Sequence, residues 1–138
     1  SWRQWAYEKY AYDETRLHFL APLQYDEYKK VLQYSWVHIY WTIPFILSWG
    51  LIEAMSTGCA IVTSNTEPVR EVVNHGEEGI IVDFFDPDDL AARVDLLIKN
   101  KERRQVLGRK ARSRIINDRY DLKSSLESQM KIVNELMR

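Results

Sequence analysis

The residues best suited to chemistry lie in the run Leu47-Ser48-Trp49-Gly50-Leu51-Ile52-Glu53. Ser48 is a residue type that caps helix N-termini. The pattern from Trp49 to Thr57 is helical, and Gly58 is placed to end it. Amides at the start of such a helix have no partner within it, and with the helix dipole they make an anion site. Gly50 lets a phosphate approach the backbone closely. Glu53, one turn along, has a carboxylate that can accept two hydrogen bonds from a ribose diol while the amides hold a diphosphate. That combination is half of a nucleotide site. An acid near a helix start also serves the dipole alone, so on residue chemistry both roles stay open.

A site of this kind has to be carried by strands and helices in alternation, and the chain offers them. Residues 2–11 have apolar positions at helical spacing, Leu17 to Leu20 reads as a short strand, and residues 25–34 form a second amphipathic helix with Tyr28, Val31 and Leu32 on one face. Val37 to Trp41 is the next strand. After the helix at Trp49 come a buried strand at Ala60–Thr63, a short helix at Pro68–Val73, a turn at His75-Gly76 and a strand at Gly79–Val82. Helices follow at Pro87–Lys99, 101–118 and 120–136. The expectation is one α/β domain, a Rossmann-like parallel sheet of about four strands flanked by helices. Ligands of such sheets bind at the carboxyl ends of the strands, here the loops Ala21–Gln24, Thr42–Ser48, Ser64–Pro68 and Asp83–Pro87.

Composition narrows the classes. The 138 residues suffice for one domain with its own core, and the 46% apolar fraction is ordinary. The net charge of −1 gives no general attraction to nucleic acid or an anionic membrane. The basic run Arg103, Arg104, Arg109, Lys110, Arg112, Arg114 and Arg119 reads as a solvated helix face. No apolar stretch reaches the roughly 18 residues a membrane span needs, and no signal peptide is visible. Cys59 is the single cysteine, which favours a reducing, cytoplasmic setting, and its apolar neighbours mark it as a small buried residue. His18, His38 and His75 are not spaced as metal ligands, so no metal is expected. The chain opens with Ser1 inside a helical pattern, as expected of part of something longer.

The stretch Gly50 to Asp83 resembles the signature of the group 1 family of retaining glycosyltransferases, which have the GT-B fold. The resemblance rests on Glu53-Ala54-Met55, Gly58, Glu71-Val72-Val73, Gly76, Gly79 and Asp83, and continues at Asp86-Pro87 and Leu90-Ala91. Upstream, residues 16–42 resemble the family's preceding strand-helix-strand unit. The resemblance implies that residues 1–138 are a single, truncated C-terminal donor-binding domain, with the N-terminal acceptor domain, the first strands and the phosphate-neutralising Arg and Lys absent. It implies transfer of a hexosyl group from a nucleoside diphosphate sugar, with no cofactor beyond that donor substrate. Glu53 would bind the ribose hydroxyls. The amides of Ser48, Trp49 and Gly50 would contact the diphosphate, and the loop Ala21 to Leu23 would lie near the base.

The sequence departs from the family pattern at one instructive point. The family's first glutamate, which contacts the transferred sugar, falls here on Phe45, and the usual Gly-Phe-Gly gives way to Leu47-Ser48-Trp49-Gly50. A subset of the family has a similar Pro-Phe-x-Leu-Ser-Trp. No residue is assigned to the chemical step. The rival expectation is a non-catalytic nucleotide-sugar-binding or interaction module of the same fold. A flavodoxin-like regulator would need an acid at the end of the first strand, where Phe19-Leu20-Ala21-Pro22 has none. Without the family's first strands, an exposed sheet edge is expected to favour self-association.

Overall fold

A computed structural model describes residues 1–10, 12–13, 15–118 and 120–137. The last residue of the expected first helix, Ala11, and Arg119 of the basic run lie outside the described residues. The elements are α1 (Trp2–Lys9), α2 (Tyr25–Tyr34), β1 (Val37–Tyr40), α3 (Trp49–Thr57), β2 (Ala60–Ser64), α4 (Glu67–Val72), β3 (Ile80–Val82), α5 (Pro87–Lys99), α6 (Lys101–Asn117) and α7 (Leu122–Leu136).

The strands form a parallel sheet in the order β1-β2-β3. β1 pairs with β2 from Val37↔Ala60 to Tyr40↔Thr63, and β2 pairs with β3 from Val62↔Ile80 to Ser64↔Val82. Every residue of β2 is buried, as its continuous apolar run requires of a central parallel strand. Alternate residues face opposite layers. Ile61 packs with Leu51, Met55, Val69 and Val72 on the α3 and α4 side. Ala60 and Val62 pack with Ile80, Val82, Leu97 and Leu107 on the α5 and α6 side. Fully buried Leu51, Met55 and Ile61 each contribute roughly 2 kcal/mol of hydrophobic stabilisation.

The sheet has three strands among the described residues, where four are expected from sequence. Leu17 to Leu20 joins no ladder. A strand exists only where another strand supplies partners for its amides and carbonyls. Instead, Phe19 turns its ring to Tyr7 of α1, with centroids 5.2 Å apart, and lies under the Arg3 guanidinium at 4.6 Å. The short apolar run serves an aromatic cluster against α1.

Helix ends follow the local chemistry. Ser48 caps α3, and Gly58 closes it in the left-handed conformation at φ 80°. Asn100 closes α5 and also caps α6, its side chain accepting from the Arg103 amide at 2.9 Å. α6 crosses the end of α3 where two glycines meet: a Cβ on Gly108 would stand 2.0 Å from the carbonyl oxygen of Gly58. No helix among the described residues is long and apolar enough to cross a membrane.

Candidate functional site

The connection from β1 to α3 is held at both ends by side-chain hydroxyls. At the end of β2, buried Ser64 accepts from the Thr42 amide at 3.0 Å and donates to the Thr42 carbonyl at 2.6 Å. Tyr40, the last residue of β1, reaches across the loop and accepts from the Ser48 amide at 3.2 Å. The Ser48 hydroxyl accepts from the Gly50 amide at 3.2 Å, and its carbonyl accepts from the Leu51 amide at 3.1 Å. The Trp49 amide has no hydrogen-bond partner among the described residues, which leaves a donor at the positive end of α3. An anion arriving there would compete with the Ser48 hydroxyl for the amide of Gly50.

Glu53 is half-buried one turn into α3. Tyr28, a half-buried residue of α2, lies near enough to feel its charge. The Tyr28 hydroxyl lies 3.7 Å from the point where a Cβ on Gly50 would stand, and the Ser48 hydroxyl lies 3.5 Å from the same point. Burial pushes the Tyr28 phenol above its ordinary pKa, and the charge and hydrogen bonding of Glu53 push it further. The phenol therefore keeps its proton, as a donor facing a carboxylate.

The neighbouring loops collect at the same carboxyl edge of the sheet. Just beyond β2, the Asn65 amide donates to the Val82 carbonyl at 2.8 Å, and Arg70 donates to the Asn65 side chain at 2.6 Å. Beyond β3, Phe84 stacks on Trp41 with centroids 5.6 Å apart. Phe45 and Trp49 are 71% and 74% exposed, and Ile43 and Ile46 of the same connection are exposed as well. Ser48, Gly50 and Glu53 are thus brought together. Ala21 and Leu23 are exposed in the segment entering α2, and no hydrogen bond among the described residues joins them to the Ser48–Glu53 turn.

Other reactive side chains have structural employment. Cys59 is buried, its thiol donates to the Leu32 carbonyl at 2.7 Å, and burial pushes its pKa up, so it is held as a thiol. His38 is half-buried on β1, and burial lowers its pKa. Much of the basic run is engaged. Arg104 donates to the carbonyls of Leu97 and Ile98, both at 2.6 Å, and covers the Trp36 ring. Lys110 pairs with Glu77, Arg112 donates to the Ser56 carbonyl, and Arg114 pairs with Asp118 at 2.7 Å. Among the described residues no three His, Cys, Asp or Glu side chains gather as a metal site.

Three residues of the site escape a reading by pattern. Tyr28 counts there as one of the apolar residues of α2, and its polar tip goes unused. Tyr40 counts as a strand residue. Ser64 falls outside the apolar run it actually completes. The available signal is a hydroxyl at the end of an element that is otherwise apolar, because a buried hydroxyl needs a partner.

Comparison with known proteins gives consistent results. Residues 11–114 match the family model for glycosyl transferases group 1. The chain is 33% identical over 91 residues to an uncharacterized glycosyltransferase of Methanocaldococcus jannaschii, a match covering 66% of this chain and 23% of that protein. Its fold is similar to that of sucrose-phosphate synthase from Thermosynechococcus elongatus, with a TM-score of 0.79 at 19% identity over 90% of this chain and 31% of the other. It is also similar to Anabaena HepE in complex with UDP-glucose, with a TM-score of 0.71 at 17% identity over 77% of this chain and 29% of the other. The chain therefore spans less than a third of the length of each of these proteins.

Proposed function

The chain belongs to the glycosyl transferases group 1 family, and from that membership we propose that it is a C-terminal donor-binding domain serving retaining transfer of a hexosyl group from a nucleoside diphosphate sugar. The amides of Ser48, Trp49 and Gly50 hold the diphosphate and stabilise its negative charge as it leaves. Glu53 holds the ribose and so sets the place of the anomeric carbon. Phe45 and Trp49 form the apolar side of the sugar pocket, and the Ala21–Leu23 segment lies toward the base. Acceptor-binding residues outside these 138 complete a cleft that excludes water and aligns the two substrates. The greater length of the relatives supports this division. The reading places the protein in the cytoplasm, in keeping with a buried free thiol at Cys59.

One observation carries the reading: the unpartnered amide of Trp49, the Ser48 cap, Gly50 and Glu53 gather at the N-terminal end of one helix. Titration of the chain with UDP, GDP and ADP, followed by Trp fluorescence, tests it. One nucleotide should bind saturably, and Glu53→Ala should weaken it by about tenfold, as loss of a charged hydrogen-bonding partner implies. Equal binding by the variant, or no saturable binding by the folded wild type, would overturn the assignment. Chelation with EDTA should leave the affinity unchanged, because amides and not a metal hold the diphosphate.

A second reading, a non-catalytic module of the same fold, is favoured by Phe45, which offers no carboxylate where a sugar contact is expected. The two readings separate on UDP-glucose against UDP, or the corresponding pair for the base that binds. A transferase site gains affinity from the sugar, and a module that has lost sugar handling does not.

A further inference from the structure

The contact between α2 and α3 places the Tyr28 hydroxyl at the face of α3 that carries Gly50 and Glu53. Two hydroxyls therefore border the same small space, Ser48 at the cap and Tyr28 across from it, and Glu53 lies three residues on from Gly50 along the same helix. A side chain at position 50 would enter that space, and glycine leaves it open. The Tyr28 ring packs against the core formed by Leu32, Leu51 and Met55, so the direction of its hydroxyl is set by packing. A carboxylate on a helix surface has several rotamers. A fixed donor beside it favours the one that keeps an oxygen on that donor.

We propose that Tyr28 is a positioning residue for nucleotide binding: its hydroxyl orients the Glu53 carboxylate so that the carboxylate presents its remaining acceptor sites to the 2′- and 3′-hydroxyls of the ribose. The inference rests on the assignment of Glu53 as the ribose ligand. Two physical points support it. An ionised carboxylate has about four acceptor sites, so one bond to a phenol leaves enough for both hydroxyls of a diol. The phenol stays protonated next to Glu53, so it can act only as the donor in this pair. The arrangement also explains why a tyrosine, and not a shorter apolar residue, stands on the apolar face of α2. Its ring fills the core while its tip supplies the donor.

The experiment compares wild type, Tyr28→Phe and Glu53→Ala in binding whichever of UDP, GDP and ADP the chain prefers, and the 2′,3′-dideoxy form of the same nucleotide. Tyr28→Phe keeps the ring and its packing. It should weaken binding of the ribonucleotide by about fivefold, the scale of one hydrogen bond, and leave the dideoxy form unchanged. Combined with Glu53→Ala, the Tyr28 change should have no further effect, because both act through one carboxylate. Equal loss for both nucleotides would mean a merely structural role and would overturn the proposal. No loss for either, while Glu53→Ala still weakens the ribonucleotide, would overturn it and leave the Glu53 assignment intact. If Glu53→Ala binds both nucleotides as the wild type does, the Glu53 assignment fails and the proposal fails with it.

Discussion

The backbone of Gly108 rests directly on the backbone of Gly58: a methyl group on Gly108 would reach to 2.0 Å from the Gly58 carbonyl oxygen. α6 thus sits against the turn that ends α3, with Leu107, Ala111 and Ile115 buried beside the contact. The turn is also where α3 hands over to β2, so α6 braces the helix whose other end carries Ser48, Gly50 and the proposed donor site.

Gly108→Ala should therefore destabilise the fold by about 3 kcal/mol or more, since relief requires the helix to move and not a side chain to turn. Gly76→Ala is the control. Gly76 has φ 81° but open space around it, so its substitution should cost only about 1 kcal/mol of backbone strain. Urea denaturation of both variants measures the difference, and equal midpoints would show that the close approach does not constrain the fold.

Ser64→Ala removes both hydrogen bonds that fasten Thr42 to the end of β2. It should cost about 1–2 kcal/mol in stability, because the Thr42 amide and carbonyl lose their partner. Nucleotide affinity should fall as well, since the loop carries Ser48 to its place. A variant that loses stability but binds UDP, GDP or ADP as before would separate the loop from the site.

Stability should decline on acidification near neutral pH, and His38 is the cause. Burial lowers its folded pKa below the ordinary 6.5. Between the two values the unfolded chain holds more protons than the folded one, so stability rises with pH through this window and is lost as pH falls below the unfolded pKa. Thermal melts between about pH 5 and 7 should show this slope, and His38→Gln should flatten it. An unchanged slope in the variant would assign the effect elsewhere.

The outer edges of β1 and β3 carry no strand among the described residues, and Ile39 on β1 is 46% exposed. The chain should self-associate as its concentration rises, and Ile39→Lys should suppress this, because a charge blunts an edge strand. Light scattering reads the result, and a monomer at high concentration would refute it.

The site helix is legible from sequence because its signals are local: Ser48 caps it, Gly58 ends it, and both are required by backbone conformation. β2 is legible because burial on both faces demands an unbroken apolar run. Leu17 to Leu20 misleads for the opposite reason. Three apolar residues in four fit a strand or an aromatic cluster equally, and only the tertiary neighbour, Tyr7, decides. The same limit hides Tyr28 and Ser64. Their partners, Glu53 and Thr42, lie 25 and 22 positions away, and no local pattern reports a contact at that range.

Asn100 is both the C-cap of α5 and the N-cap of α6, so a single residue joins the two helices. That economy makes α5 and α6 a gear with a fixed phase. One residue inserted at the joint would turn α6 by about 100° about its axis. Leu107, Gly108 and Ala111 would rotate into solvent, and charged neighbours would face the end of α3. Changes of length at this joint, natural or engineered, therefore break the contact with Gly58, whereas the loops at the carboxyl edge of the sheet can change length and leave α5 and α6 in register.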